Sequence, residues 1–483
     1  MSIAQALASA NSGLGAVSRQ ASVASQNIAN ALTPGYSRRE VSLAERTLAG
    51  AGAGVRVAGI VRAEAPAVTR ERRAADAAAA RDGALLGAIE RISRLIGGPE
   101  DANALFGKFA GFDRTLRELA NAPDNAAAQD AAVGAAKRLV SGVNALANSL
   151  QTIRAEADGE IAARVGALNQ DLKRIEQLND EISRATVSGR DASSLLDERD
   201  LALNRVNESL PVRPLVRENG KIDLMTEEGV LLISGAAREV RFAATPIITA
   251  DMSIGVGSLS GLVVDGVDIT PGFARGSTSG AIAGLFSVRD DVAPSAAADL
   301  DALAEGLIAR FETAGLDLTL APGSPGLFTD AGAALAPPPA PGLAARLQLN
   351  AAVDPSAGGA PWRLRDGLGA ATQGPSGSNA QLRAFIAVMD EPRISSLAGG
   401  KSVTALEAAG SLGGGAGAKL AAAEAAHQAS ADYASLLNDA ALAVTGVDTD
   451  AELQNLLLIE QAYAANAKII EAVNQMIARL MEI

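Results

Sequence analysis

Apolar residues recur alternately four and three apart at both ends of this chain. Near the N-terminus they are Ile3, Leu7, Ala10, Leu14, Val17, Ala21, Ala24 and Ile28, and near the C-terminus Leu456, Ile459, Tyr463, Asn466, Ile470, Val473, Ile477 and Leu480. That spacing is a heptad seam, so each end is predicted to form an amphipathic helix, about 45 to 50 Å long at 1.5 Å per residue. Asp448 or Thr449 supplies an N-cap for the second helix. Asn466 on its seam either fixes register or faces solvent where the seam drifts. Ala10, Ala21 and Ala24 bury too little apolar area for a free-standing hairpin. The seam therefore predicts packing among many neighbours and termini that order on assembly. Periodicity alone favours a plainer reading, an intramolecular coiled coil that closes a globular protein.

After the first seam the chain breaks at Thr33-Pro34-Gly35. Proline drives Thr33 out of the helical region and Gly35 can take a positive φ, so the chain is expected to leave the first helix sharply. Arg38, Arg39 and Glu40 follow on an extended segment, either paired with acidic neighbours or as a solvated cluster. From Ala126 to Leu210 the pattern is helical, with Leu139, Val143, Leu146, Leu150, Ile153, Ile161, Val165, Leu168, Leu172, Ile175 and Ile182 on one stripe. The turn Ser188-Gly189-Arg190-Asp191 divides this block. The period then changes: Val212 to Val216, an Asn219-Gly220 turn and Ile222 to Met225 predict a β-hairpin. Val230 to Ile233 and further short strands are predicted through Val267. Helix returns between Gly280 and Thr313 and again from Gln381, with Gly413-Gly414-Gly415 as an interrupting linker. Residues 321–379, rich in Ala, Gly and Pro, are expected to be loop-dominated.

Composition narrows the function. A length of 483 residues, 48% hydrophobic and 20% charged, describes a globular chain of two to four domains. Aromatics at 3% require a core of small and aliphatic side chains. The formal charge of -13 disfavours nucleic acid as a partner. Without cysteine there are no disulfides, thiolate zinc sites or cysteine nucleophiles. The first residues lack a basic segment and a clean apolar run, so no cleavable secretory signal is expected. No apolar run of about 18 residues predicts a membrane helix.

Catalytic chemistry finds no foothold. His427 is the single histidine, with no partner to share a metal, and is expected to be a surface or packing residue. Gly276-Ser277-Thr278-Ser279-Gly280 has Thr at the centre of a nucleophile-elbow spacing and carries no weight. The adjacent acids Glu227-Glu228 and Asp290-Asp291 point apart. Trp362 in the Gly/Pro-rich stretch is either a small-core anchor, the favoured reading, or an exposed contact. No catalytic residue, metal or cofactor is predicted.

Two motifs are more specific. Gln26-Asn27-Ile28-Ala29-Asn30 followed by Thr33-Pro34-Gly35-Tyr36-Ser37-Arg38 resembles the N-terminal signature of bacterial flagellar rod, hook and hook-associated proteins. Its Tyr-Ser-Arg form is most similar to the hook-associated protein 1 family of the hook–filament junction. Glu460-Gln461-Ala462-Tyr463-Ala464-Ala465-Asn466-Ala467-Lys468 is similar to the C-terminal signature. Patches between agree: Gly54-Val55-Arg56-Val57 with Ile60 and Arg62, Leu195 to Asp200, Gly284-Leu285-Phe286 with Arg289-Asp290, and Leu300 to Ala304. Phe311-Glu312 departs from the family's Phe-Asn. The resemblance is strong at the termini and weak from about Ala321 to Ala416.

The resemblance implies a structural subunit exported unfolded through the flagellar type III apparatus and located outside the cell. It implies self-assembly into a helical tube, contacts with hook protein and a second junction protein, and an export chaperone on the C-terminal region. Neither membrane nor nucleic acid is an expected partner. The fold implied is mainly α with an inserted β region, long coiled-coil helices from both termini forming nested layers. Expected segments are an inner-layer helix over 1–32, the first part of a helical domain over 33–210 and a β-rich region over 211–279. A helical segment over 280–320, the excursion over 321–379, the second part of the helical domain over 380–445 and the C-terminal inner-layer helix over 446–483 complete the chain. The expected assembly interface is Ile3, Leu7, Leu14, Val17, Ile28, Leu456, Ile459, Tyr463, Asn466, Ile470, Val473, Ile477 and Leu480. Asn30, Pro34, Gly35 and Tyr36 set the exit from it. Competing readings are a hook or distal rod subunit and a soluble coiled-coil scaffold.

Overall fold

The computed structural model describes residues 3–48, 51–98 and 100–481. The chain opens with helix α1 (Ile3–Ala29) and a long antiparallel hairpin, β1 (Arg39–Leu48) and β2 (Ala51–Arg62). Helices α2 (Pro66–Ile96), α3 (Leu105–Asn121), α4 (Ala126–Val187) and α5 (Ser193–Ser209) follow. Strands β3 (Val212–Val216), β4 (Ile222–Thr226), β5 (Leu231–Ser234) and β6 (Ala236–Ala237) form one antiparallel sheet. A smaller sheet holds β7 (Val240–Arg241), β8 (Val263–Val264) and β9 (Val267–Asp268). Next come α6 (Ala281–Ser287), a π-helical turn over Val288–Val292 and α7 (Ala293–Phe311). The pair β10 (Phe328–Asp330) and β11 (Leu347–Leu349) flanks the single turn α8 (Leu343–Arg346), and α9 (Arg363–Asp366) and α10 (Ala380–Asp390) follow. The hairpin β12 (Arg393–Ser395) and β13 (Lys401–Val403) leads to α11 (Ala405–Thr445) and α12 (Thr449–Met481).

Helix α4, 62 residues and so about 93 Å long, is the spine. Its predicted stripe from Leu139 through Ile182 is buried throughout. Asn125 caps it, its Oδ1 accepting from the Ala128 N–H at 3.2 Å, and Gly189 at φ +66° turns the chain after it. Around the spine one continuous apolar core joins α2 to α7, the small sheets, α10 and the start of α11. Phe112, Phe311, Phe328 and Phe385 meet there edge to face, with centroids 5.2 to 5.5 Å apart for three pairs.

A buried ionic knot ties the β region to the spine. The wholly buried Arg289, on the π-helical turn, donates to Asp158 Oδ1 at 2.6 Å, while Arg154 donates to the carbonyls of Arg289, Thr249 and Met252. Arg289 also lies 4.6 Å over the Phe286 ring.

The predicted mainly α fold with inserted β structure holds, and the long helices of the two ends pack in pairs, α1 on α12 and α2 on α11. The hairpin at Asn219-Gly220 falls where expected, Asn219 being left-handed at φ 56°. Two expectations need correction and one an addition. The segment 33–210 begins with the hairpin β1–β2 and becomes helical only at Pro66. The stretch 321–379 is loop-dominated, yet Leu327, Phe328, Leu343, Leu347, Val353, Leu364 and Leu368 sink into the main core; Trp362 itself is half-buried. The Gly413-Gly414-Gly415 linker does not exist, because α11 runs through it unbroken. A Cβ on Gly410 would lie 3.4 Å from the Phe106 ring and one on Gly413 3.2 Å from the Gly97 carbonyl. Gly410 and Gly413 serve close helix packing, and neither breaks the helix.

Candidate assembly interface

The terminal helices run antiparallel. Asn27 near the end of α1 meets Glu452 at the start of α12, and Gly13 meets Asn466. Val17, Ala24 and Ile459 form their small core, with Ala21, Leu456 and Ala462 against it. Of the predicted interface, Val17, Ile459 and Val473 are buried. Ile3, Leu7, Leu14, Ile28, Leu456, Asn466, Ile470 and Ile477 are half-buried. Tyr463 and Leu480 are exposed. Asn466 faces α1, its Nδ2 donating back to Ala462 O at 2.9 Å, and a Cβ on Gly13 would come within 2.8 Å of its Oδ1.

Asn30, Pro34, Gly35 and Tyr36 lie in the turn that follows α1. Asn30 closes α1, its Nδ2 donating to Gln26 O at 2.9 Å and its Oδ1 accepting from Thr33 Oγ1 at 3.3 Å. Pro34 is exposed on the bend. Gly35 takes φ +79°, and a Cβ there would lie 2.5 Å from Leu201 Cδ2. Tyr36 then folds back, its hydroxyl donating to Asn27 Oδ1 at 2.8 Å. Burial raises the pKa of that hydroxyl against the pull of the Arg39 guanidinium, which stands 4.7 Å over the ring.

Asn27, which sequence reasoning left out of the interface, is the hub. It is almost wholly buried, and both faces of its carboxamide are used. Nδ2 donates to Arg39 O at 2.9 Å and to Glu452 Oε1 at 2.8 Å, while Oδ1 accepts from Tyr36 and from the Arg39 N–H at 3.1 Å. Two donors and two lone pairs are thereby filled. One side chain joins α1, the exit turn, the base of the hairpin and α12. The Arg38 N–H adds a bond to Thr445 O at the end of α11 (2.8 Å).

Below the hub lies a charge cluster that pairs the two patches Arg62 and Leu195 to Asp200. Arg39 donates to Asp197 Oδ2 at 2.9 Å and to Ser194 Oγ at 3.1 Å; Arg62 reaches Asp197 Oδ1 at 3.0 Å and Asp200 Oδ2 at 2.6 Å; Arg73 reaches Asp200 Oδ1 at 3.0 Å. Arg39 is thus buried and paired, while Arg38 pairs Glu40 at the surface. Burial works to raise the Asp200 carboxyl, but the Arg62 and Arg73 guanidiniums hold it below its ordinary value. The pairings span more than 100 residues of sequence, so no local pattern shows them; the alternating residues of β1 and β2 were the available signal.

The hairpin also rests on α1. The Val55 N–H donates to Ser12 Oγ at 3.1 Å, and Gly54, at φ +99°, leaves no room for a Cβ against Ser12 and Ser9. Leu453, Leu457, Leu458, Ile469 and Met476 remain exposed along α12. Among the described residues no group of His, Asp and Glu could hold a metal, and no helix is long and apolar enough to cross a membrane. The lone His427 packs over Gly83 on α2.

Residues 89–328 match the family described as the flagellar hook-associated protein FlgK helical domain, and residues 439–483 the flagellar basal body rod FlgEFG protein C-terminal family. Flagellar hook-associated protein 1 of Salmonella typhimurium is 29% identical over 244 residues, 49% of this chain and 44% of the relative. The protein of that name in Escherichia coli is 28% identical over 244 residues, with the same two coverages. That of Bacillus subtilis is 23% identical over 239 residues, 47% of each chain. A solved structure of the flagellar hook junction protein FlgK from Burkholderia pseudomallei aligns with TM-score 0.43 and 22% identity, over 55% of this chain and 47% of that one. The chain belongs with the flagellar rod, hook and hook-associated proteins. Within that class its similarity is to the flagellar hook-associated protein 1 family. It spans about half the length of the curated relatives it matches.

Proposed function

We propose that this chain is a structural subunit of the bacterial flagellum at the hook–filament junction, assembling into a helical tube through α1 and α12 after export. One observation carries the reading. With α1 already seated on its seam, α12 still presents Leu453, Leu457, Leu458, Tyr463, Ile469, Met476 and Leu480 to solvent, more apolar surface than a single helix needs. Exposed apolar side chains in this number mark an interaction site, and the predicted interface residues from Ile3 to Leu480 then act in two ways. Those facing α1 build the pair, and Tyr463 and Leu480, on separate flanks of α12, add to the exposed side chains that meet neighbouring copies. Hook protein and a second junction protein are the partners at the two ends of such a tube, and an export chaperone would cover the same side chains beforehand. The subunit works through interfaces, with no catalytic role.

The test is complementation of a strain lacking the native junction protein with Leu458→Glu/Ile469→Glu. The expected result is a variant with unchanged helix content by circular dichroism that fails to support filament attachment. Full-length attached filaments with this variant would overturn the reading and favour a scaffold whose ends matter only within one chain.

A further inference from the structure

Heptad periodicity leaves the register of the terminal pair open. If α12 slips by seven residues along α1, every seam position stays in the seam, and Ala10, Ala21 and Ala24 offer little shape to discriminate. Yet one hydrogen bond and one close approach distinguish the observed register. Asn27 bonds Glu452, and Gly13 admits Asn466 where a Cβ would stand only 2.8 Å from Oδ1. Gly13 lies fourteen residues before Asn27, and Asn466 fourteen after Glu452. The contacts therefore sit two heptads apart on both helices, about 21 Å along the axis. In either slipped register Asn466 would face Ala6 or Gln20, both carrying a Cβ, and Glu452 would lose the buried carboxamide.

We infer that Glu452 and Asn466 are the register-determining residues of α12. Together with Asn27 and Gly13 they form a two-point lock that selects one alignment of the terminal helices. Because Asn27 also holds Tyr36 and the Arg39 backbone, the lock aligns the pair to the base of the hairpin as well as to itself. The inference concerns a single chain and does not rest on the tube it enters.

The chain has no cysteine, so introduced pairs report register without background. In the full-length protein, Val17→Cys with Ala462→Cys marks the observed register, and Val17→Cys with Ile469→Cys marks a slip of one heptad. With the native pins, only the first pair closes under mild oxidation. In a Glu452→Ala/Asn466→Ala background, which leaves Asn27, Tyr36 and the hairpin untouched, the slipped disulfide is expected to rise at least about tenfold relative to the in-register one, as for polar residues that specify coiled-coil register. Hydrogen exchange protection of α4 serves as the folding control. An unchanged ratio with α4 protected would show that the apolar seam alone fixes register and would overturn the inference. So would failure of the in-register pair to close in the native background.

Discussion

Replacing Asp197 by Asn tests whether the charge cluster beneath Asn27 holds the hairpin to the helical body. In the native cluster one carboxylate serves two guanidiniums, Arg39 at 2.9 Å and Arg62 at 3.0 Å, with the side chains of Asp197 and Arg39 about nine-tenths buried. The carboxamide can still accept from one, but its NH2 group opposes the other. Arg62 keeps Asp200 at 2.6 Å, whereas Arg39 is left with Ser194. An uncompensated buried charge costs about 3–5 kcal/mol, against roughly 0–1 kcal/mol for an exposed pair. The effect should be local, because β1 and β2 dock on α5 outside the apolar core that joins α2 to α11. Hydrogen exchange of the β1–β2 amides is the assay: opening should become about 100-fold or more frequent in Asp197→Asn, with α4 unchanged. Arg39→Met/Asp197→Leu should recover most of the protection, since a buried pair replaced by apolar side chains is often neutral. Exchange within threefold of the native chain would mean that solvent screens the cluster, and the account of hairpin docking would fall.

Other outcomes follow from the same geometry. Gly35→Ala forces a left-handed alanine against Leu201 and should destabilise the exit turn by about 2–4 kcal/mol, read as faster exchange over residues 30–40. Gly415→Ala, where a Cβ meets nothing, should stabilise α11 by about 1 kcal/mol; Gly413→Ala, facing the Gly97 carbonyl, should not, and equal urea midpoints for the two would sink the packing account. The depressed Asp200 carboxyl contributes stability that is fully present above the ordinary aspartate value of about 3.9 and is lost as pH falls through its lower folded value. Asp200→Asn should therefore weaken hairpin protection at pH 6 and flatten its decline between about pH 4 and 2, whereas a parallel decline would reject the linkage.

What the sequence disclosed depended on how far apart the cooperating residues lie. The stripe of α4 repeats every three or four positions, and each of its predicted residues is buried. The Asn219-Gly220 turn specifies its own hairpin within a dozen residues. Asn27 was visible as part of a motif, but its partner Glu452 is 425 residues away, and nothing near Asn27 announces a carboxylate. Arg62 and Asp197 were each noticed in a separate patch, yet their pairing is a product of the fold. The glycine triplet misled because composition reports backbone freedom, whereas Gly413 is placed by what approaches it. The excursion over 321–379 is loop-dominated as expected, but its apolar residues are scattered among Pro and Gly, so no period announces that Phe328 and Leu347 reach the centre of the core.

The nesting of the chain sets an order among these contacts. Closing a loop of several hundred residues costs entropy that short-range contacts do not, and that cost grows only logarithmically with length. Once α2 and α11 have paired and the hairpin, closed by the Ala63 N–H on Arg38 O, has set Arg38 beside Thr445, the gap left for α1 and α12 to close is residues 30–37 on one side and 446–448 on the other. The terminal pair therefore depends on the body, while the body, with its own core, does not depend on the pair. With so small a core of its own, the pair should exchange faster than α4 in the isolated chain and gain protection when its exposed apolar side chains are covered. A terminal pair as protected as α4 in the monomer would contradict this hierarchy. It would also remove the reason for leaving apolar side chains such as Leu458 and Ile469 uncovered.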